Sequence, residues 1–252
     1  MIAITRQGKI AVLTLAKGKA NTLDIEFCRA LTGQFNELKK SSAEAVVMTA
    51  EGPIFSAGVD LLRASKGGPK YLRQFLPVLN KMFDAAFNFP KPLVAAINGH
   101  AIAGGCVLAS CADYRLMARG NGKIGVTELL VGLPFPALAF EVMRFVASPR
   151  YLAEVIYTGE TYLPEAALER GLVHEVVEIQ SLRERALQSA GFLAELSPAA
   201  FAQTKQQIRL GVTERMKRDG KRIDAAATKA WTSPKTTASI DAYVSRTFKA
   251  KG

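Results

Sequence analysis

The chain has 252 residues, 49% of them hydrophobic, enough to bury one substantial core with room for a small appended domain. Three cysteines, Cys28, Cys106 and Cys111, form neither an even-numbered disulfide framework nor a metal-like spacing, as expected in a reducing compartment. The apolar stretches are too short to span a membrane and Met1 to Thr5 lacks a signal-peptide pattern, so a cytoplasmic location is expected despite the net charge of +11.

Taken in chain order, Lys9 to Ala16 and Glu44 to Thr49 read as buried strands rich in Val, Leu and Ala. Between them, Asp24 is a plausible N-cap for a helix through Leu38, with Phe27, Leu31, Phe35 and Leu38 at helical spacing. A tight turn, Phe55-Ser56-Ala57-Gly58-Val59-Asp60, leads into a helix start. Ser65 to Pro69 then breaks the chain, and a helix is predicted from Tyr71 to Phe87 with an apolar stripe from Leu72 onward. Phe89-Pro90-Lys91-Pro92 ends that helix and launches a strand to Ile97. A second glycine-bearing turn runs from Asn98 to Cys106. Repeated strand-turn-helix units imply parallel strands with right-handed crossovers.

The rest is mostly helical. Helices are predicted over Ala137 to Val146, Pro149 to Tyr157, Pro164 to Arg170, Ser181 to Glu195, Pro198 to Leu210, Glu214 to Trp231 and Ser233 to Lys249, with one more strand from Val173 to Ile179. A composition shift near Leu196-Ser197-Pro198 marks a boundary, dividing the chain into 1–196 and 197–252. From Phe201 to Gly252 there are 12 Lys and Arg against 4 Asp and Glu, a surplus of 8. That tail suits either a solvated helical surface or attraction of a polyanion. It carries no zinc-finger, helix-turn-helix or ribonucleoprotein signature, which argues against nucleic acid.

The two glycine turns carry the chemistry. Each leaves backbone N–H groups free at a helix start, and two such groups converging on one point form an oxyanion hole. Glu128, between an apolar segment and Gly132-Leu133-Pro134, is the acid/base candidate, since burial there would raise its pKa toward a useful range. Other residues read more simply. Asp60 is an N-cap or loop anchor, Asp113 a buried hydrogen-bonding group, and Cys106 a packing residue. His100 and His174 are isolated, without metal-ligand spacing.

Together these stretches resemble the crotonase superfamily, the enoyl-CoA hydratases and isomerases. The resemblance runs through Ile10 to Leu15, Asn21-Thr22-Leu23, Phe55 to Asp60, Asn98 to Cys106, Ala112 to Arg115, Glu128 to Pro134 and Gly171 to Val173, nearly the whole chain. It implies an α/β fold, a crotonase-like ββα superhelix with a C-terminal helical trimerisation region. It also implies a homotrimer or dimer of trimers acting on an acyl-CoA thioester. Coenzyme A would be part of the substrate, with no metal or redox cofactor. The thioester oxygen would be held by the N–H groups of Val59 and Gly104, with Gly58 permitting the close turn, and Glu128 would move protons. Ala20 and Ala57 would lie near the adenine, and Asp60 and Leu61 beside the substrate.

Departures from the family pattern are informative. Hydratases carry a second glutamate where this chain has Val107, and Pro-Gly-Ala-Gly-Gly where it has Pro134-Phe135-Pro136-Ala137-Leu138. A bulky Phe135 would favour a dry pocket. Both changes resemble the one-glutamate Δ3,Δ2-enoyl-CoA isomerases, with a hydratase, another CoA-thioester reaction or a non-catalytic, RNA-binding paralogue as alternatives. The lysines that hydratases use near the first turn are replaced by Pro53 and Leu62. Arg63 is one position away, and Phe248 and Lys249 are further candidates for the coenzyme A adenine and phosphates.

Overall fold

Buried apolar runs build a six-stranded main sheet in the computed structural model, which describes residues 1–248. Strands β1 (Ile2–Gln7) and β2 (Ile10–Leu15) form an antiparallel hairpin around Gly8, whose φ of 58° suits glycine. From β2 the sheet continues in parallel through β3 (Ala45–Ala50), β5 (Leu93–Ile97), β7 (Tyr114–Ala118) and β9 (Glu175–Val177). A second parallel sheet of three short strands, β4 (Ile54–Ser56), β6 (His100–Ile102) and β8 (Ile124–Gly125), stands beyond it.

The short strands refine the expected strand-turn-helix units. Strands β3, β5 and β7 each lead first into a strand of the small sheet, and only then into a helix. The repeating ββα unit implied by the resemblance is therefore observed. At two or three residues each, the added strands show no alternation detectable in sequence. Strand β1 lies outside the predicted elements for a different reason: it is an edge strand with most side chains exposed.

Alternation across the parallel strands creates two apolar layers. Val46 and Met48 face the larger core with helices α1 (Ile25–Lys40) and α2 (Leu61–Phe87). Ala45 and Val47 face a smaller cluster containing Leu182, Ala186 and Ala190, which belong to α7 (Ile179–Ala194). Asp24 caps α1 as expected, its carboxylate accepting the Phe27 N–H at 2.8 Å. Helix α2 differs from the prediction: it starts at Leu61, with Asp60 accepting the Arg63 N–H at 3.0 Å. The expected break survives as a kink at Gly68 (φ 57°, ψ −156°), immediately before Pro69.

The remaining helices are α3 (Gly104–Ser110), α4 (Ala137–Val146), α5 (Leu152–Tyr157), α6 (Pro164–Glu169), α8 (Pro198–Ile208), α9 (Leu210–Trp231) and α10 (Pro234–Phe248). Helix α5 begins after the predicted Pro149, and α9 begins before Glu214. Helices α8 to α10 pack against the body of their own chain. Asp113 accepts the Leu93 N–H (2.8 Å), Lys205 Nζ (2.7 Å) and Arg209 Nη2 (2.8 Å), tying α8 to the main sheet. Arg215 Nε bonds Glu141 at 2.7 Å, and the Ala137 N–H bonds Asp224 at 2.8 Å, joining α9 to α4. Among the described residues no helix is long and apolar enough to cross a membrane.

The Asp113 cluster gives a direct stability prediction. Asp113→Ala leaves Lys205 and Arg209 buried without their carboxylate. Removing one partner of such a pair typically costs about 3–5 kcal/mol. Urea unfolding should show a loss of that order, against a negligible change for Lys9→Ala in the exposed Lys9–Glu44 pair.

Candidate active site

The site begins with two backbone turns pressed together. Gly58 has φ 77°, and a Cβ on it would lie 2.7 Å from the Ile102 carbonyl oxygen and 2.9 Å from the Gly104 nitrogen. A Cβ on Gly105 would fall 2.2 Å from the Ser56 carbonyl oxygen. No side chain fits at either contact. Between them Ala103 is held at φ 51°, ψ −125°, a conformation that L residues other than glycine rarely adopt.

Hydrogen bonding around the turns leaves several donors over, as at any helix start, Val59 and Gly104 among them. In the first turn, the N–H groups of Ala57, Gly58 and Asp60 donate to Ala20 O, Ser56 Oγ and Leu23 O. In the second, Ala103 N–H donates to Gly125 O and Val107 N–H to Ala103 O. The N–H groups of Val59 and Gly104 find no acceptor among the described residues. Backbone donors that are fixed in place yet unpaired are suited to an oxygen bearing developing negative charge.

A cavity of about 400 Å³ opens beside this contact. Of the sequence candidates, Ala20, Ala57, Val59, Asp60, Leu61 and Glu128 line it. Gly58 and Gly104 form the turn contact behind Val59 and Ala103. Arg63 takes a different place: its guanidinium is ion-paired with Asp24 at 2.7 Å and with Glu26, outside the lining. Phe135 also departs from the expected wall. It is buried edge-on against Phe140, with ring centroids 6.2 Å apart, and Val131 and Leu133 form that part of the lining instead. Phe248 is the last residue of α10, and Lys249 lies outside the described residues.

Sequence reasoning missed several lining residues. Thr22, Ile102, Ala103, Thr127, Val131 and Leu133 lie inside or beside the quoted motifs and could have been inferred from their neighbours. Leu62 stands where the resemblance places a lysine, whereas Trp231 and Tyr243 lie outside every quoted motif. The latter two arrive from α9 and α10 through tertiary folding, and Trp231 is fixed by its Nε1–H donating to the Pro134 carbonyl at 2.7 Å.

Glu128 opens a short 3-10 helix, Glu128–Val131, which Gly132 closes in the left-handed region at φ 77°. Its side chain is only 9% exposed, and Oε2 has no hydrogen-bond partner among the described residues. Burial pushes its pKa up to about 7, opposed by the backbone N–H groups of Glu128 and Thr127. Such a carboxyl can take up and release a proton near neutrality. Asp60, the other acid in the lining, is occupied as the cap of α2.

The remaining titratable candidates are structural. His174 Nδ1 accepts the Arg115 N–H at 3.1 Å and its ring stacks on Tyr114, while burial lowers its pKa to about 4. His100 Nδ1 accepts the Lys123 N–H. Burial pushes the Cys106 thiol up to about 12. Among the described residues no three His, Cys, Asp or Glu side chains are grouped to hold a metal.

A ββα superhelix with two glycine turns in contact and a buried carboxyl beside one cavity defines a crotonase-fold protein. The chain belongs to the enoyl-CoA hydratase/isomerase family, matching it over residues 5–249. It is 28% identical over 214 residues to the short-chain-enoyl-CoA hydratase of Clostridium acetobutylicum, covering 84% of this chain and 82% of that protein. Mitochondrial enoyl-CoA delta isomerase 1 of Mus musculus is 33% identical over 181 residues, covering 70% of this chain and 62% of the isomerase. The human mitochondrial Δ3-Δ2-enoyl-CoA isomerase has the same fold, with a TM-score of 0.94 over 100% of this chain and 99% of that one at 24% identity.

Burial of the Glu128 carboxyl predicts a pH-dependent effect on stability. Raising its pKa from 4.5 to about 7 disfavours the ionised form in the fold by about 3 kcal/mol. The folded pKa exceeds the unfolded one, so the penalty is absent below pH 4.5, grows as pH rises, and is complete above about 7. Glu128→Gln lacks that ionisation. Its stability relative to the native chain should therefore increase between pH 5 and pH 8 in paired denaturation curves, and a pH-independent difference would contradict the assignment.

Proposed function

We propose that this chain acts on enoyl-CoA thioesters through an enolate, moving a double bond from C3–C4 to C2–C3. The Glu128 carboxylate takes a proton from C2. The C–H electrons form a C1–C2 double bond as charge moves onto the thioester oxygen, where the Val59 and Gly104 N–H groups receive it. Protonation of the dienolate at C4 by the Glu128 carboxyl, with return of charge from oxygen, leaves the C2–C3 double bond. One acid/base group serves both transfers, and coenzyme A enters as part of the substrate.

The observation carrying this reading is the single uncommitted carboxyl in the cavity lining. Glu128 has a free oxygen, Asp60 caps a helix, and Val107 lies fully buried in the core at the position where the resemblance places a second glutamate. Hydration by two carboxylates lacks its second group here. The similarity to the Clostridium hydratase keeps hydration as the competing reading.

Assays with a 3-enoyl-CoA and, separately, a 2-enoyl-CoA distinguish them. Isomerisation predicts conversion of the first to its 2-enoyl isomer without mass change; gain of water by the second would favour hydration. Glu128→Gln should abolish isomerisation while retaining thioester binding. Because the base must be ionised, kcat/KM should rise with pH through about 7. Gly58→Ala, which forces the two turns apart, should lower kcat by about 10²–10³, the usual effect of losing an oxyanion donor.

The same proposal includes a homotrimer or dimer of trimers in the cytoplasm. Its support is the apolar surface on the C-terminal half, where Phe192, Ile208 and Leu210 are 66%, 63% and 53% exposed. Light scattering should give three or six times the mass of one chain, and a monomer at micromolar concentration would remove this part.

A further inference from the structure

We infer that Trp231 closes the apolar end of the cavity and restricts the site to short- and medium-chain acyl thioesters. The inference rests on the thioester reading above but not on which reaction occurs after binding. The cavity lining joins two groups of residues. Thr22 Oγ1 lies 3.5 Å from Asp60 Oδ2 at the first turn; Val131 and Leu133 follow Glu128, whose carbonyl accepts the Leu133 N–H, and Trp231 meets the same loop at Pro134, so these three make the apolar end. In the proposed complex the thioester carbonyl sits at the Val59 and Gly104 N–H groups and the acyl chain runs past Glu128 toward Val131, Leu133 and Trp231.

Trp231 is the chain's single tryptophan, only 1% exposed, at the last position of α9. Both its ring and its helix are held. The Nε1–H donates to Pro134 O at 2.7 Å, in the loop beyond Glu128, and α9 is bound to α4 through Arg215–Glu141 and Ala137–Asp224. The indole is therefore a fixed wall rather than a mobile side chain. A cavity of about 400 Å³ is near the lower limit for small-molecule sites and must also hold the thioester and the adjoining arm of coenzyme A.

The test is calorimetric titration of the full chain with butanoyl-, hexanoyl-, octanoyl-, decanoyl- and dodecanoyl-CoA, saturated thioesters that bind without isomerising. Each methylene entering an apolar site should tighten binding roughly fourfold. In the native chain that gain should stop before decanoyl-CoA. Trp231→Ala should move the stop to a longer chain, whereas Trp231→Phe, which keeps bulk but loses the bond to Pro134, should leave it within one two-carbon step. Leu133→Ala, at the same end, provides a second route should Trp231→Ala fold poorly, and should also lengthen the accepted chain. A uniform weakening across all five thioesters in both alanine variants would mean a merely structural role and overturn the inference. So would an unbroken gain to dodecanoyl-CoA in the native chain. Failure to bind any thioester would instead remove the underlying reading, and this inference with it.

Discussion

Two peptide turns from distant parts of the chain meet with no side chain between them, and the architecture around the cavity depends on that contact. Gly58 must lie against Ile102 and Gly104, and Gly105 against Ser56, so a single Cβ at either place would overlap backbone unless the turns move apart. The short strands β4, β6 and β8 hold the turns at this separation by hydrogen-bonding them in parallel. Ala103, which lines the cavity next to this contact, is held at φ 51°, a strained conformation for a residue other than glycine. Donors held this way need no reorganisation when charge develops beside them.

The second constraint is electrostatic and acts against stability. A carboxyl that remains half-protonated near neutrality must be buried, and a buried ionised carboxylate is unfavourable. Glu128 keeps one oxygen without a partner among the described residues. The opposite treatment is given to Asp113, half-buried between two cations and fully employed in joining β5 to α8 and Arg209. One carboxylate keeps an oxygen without a partner among the described residues and the other is consumed by structure. Hydrogen-bond partners, more than burial itself, distinguish their roles.

The C-terminal helices connect these features. Residue 197 lies at the passage from α7 to α8, yet the helices beyond it are not an independent appendage. They contribute Trp231 and Tyr243 to the cavity wall and Lys205 and Arg209 to the Asp113 cluster. The same helical region therefore braces the sheet and shapes the site, while an apolar part of its surface remains exposed.

Much of this was readable from the amino-acid order because the deciding signals are local. Apolar runs define β2, β3 and β5; Asp24 and the stripe from Leu72 define α1 and the long part of α2. Glycines at the two turns and a glutamate before Gly132 mark the candidate groups, because free N–H donors and a carboxyl at a helix start are properties of short segments. Folding decided the rest. Arg63 pairs with Asp24 rather than lining the cavity, Phe135 turns onto Phe140, and Trp231 reaches Pro134 from a helix far along the chain. Side-chain direction, ion-pair choice and the closure of a cavity depend on which surfaces meet, and such long-range contacts leave no periodicity in the sequence.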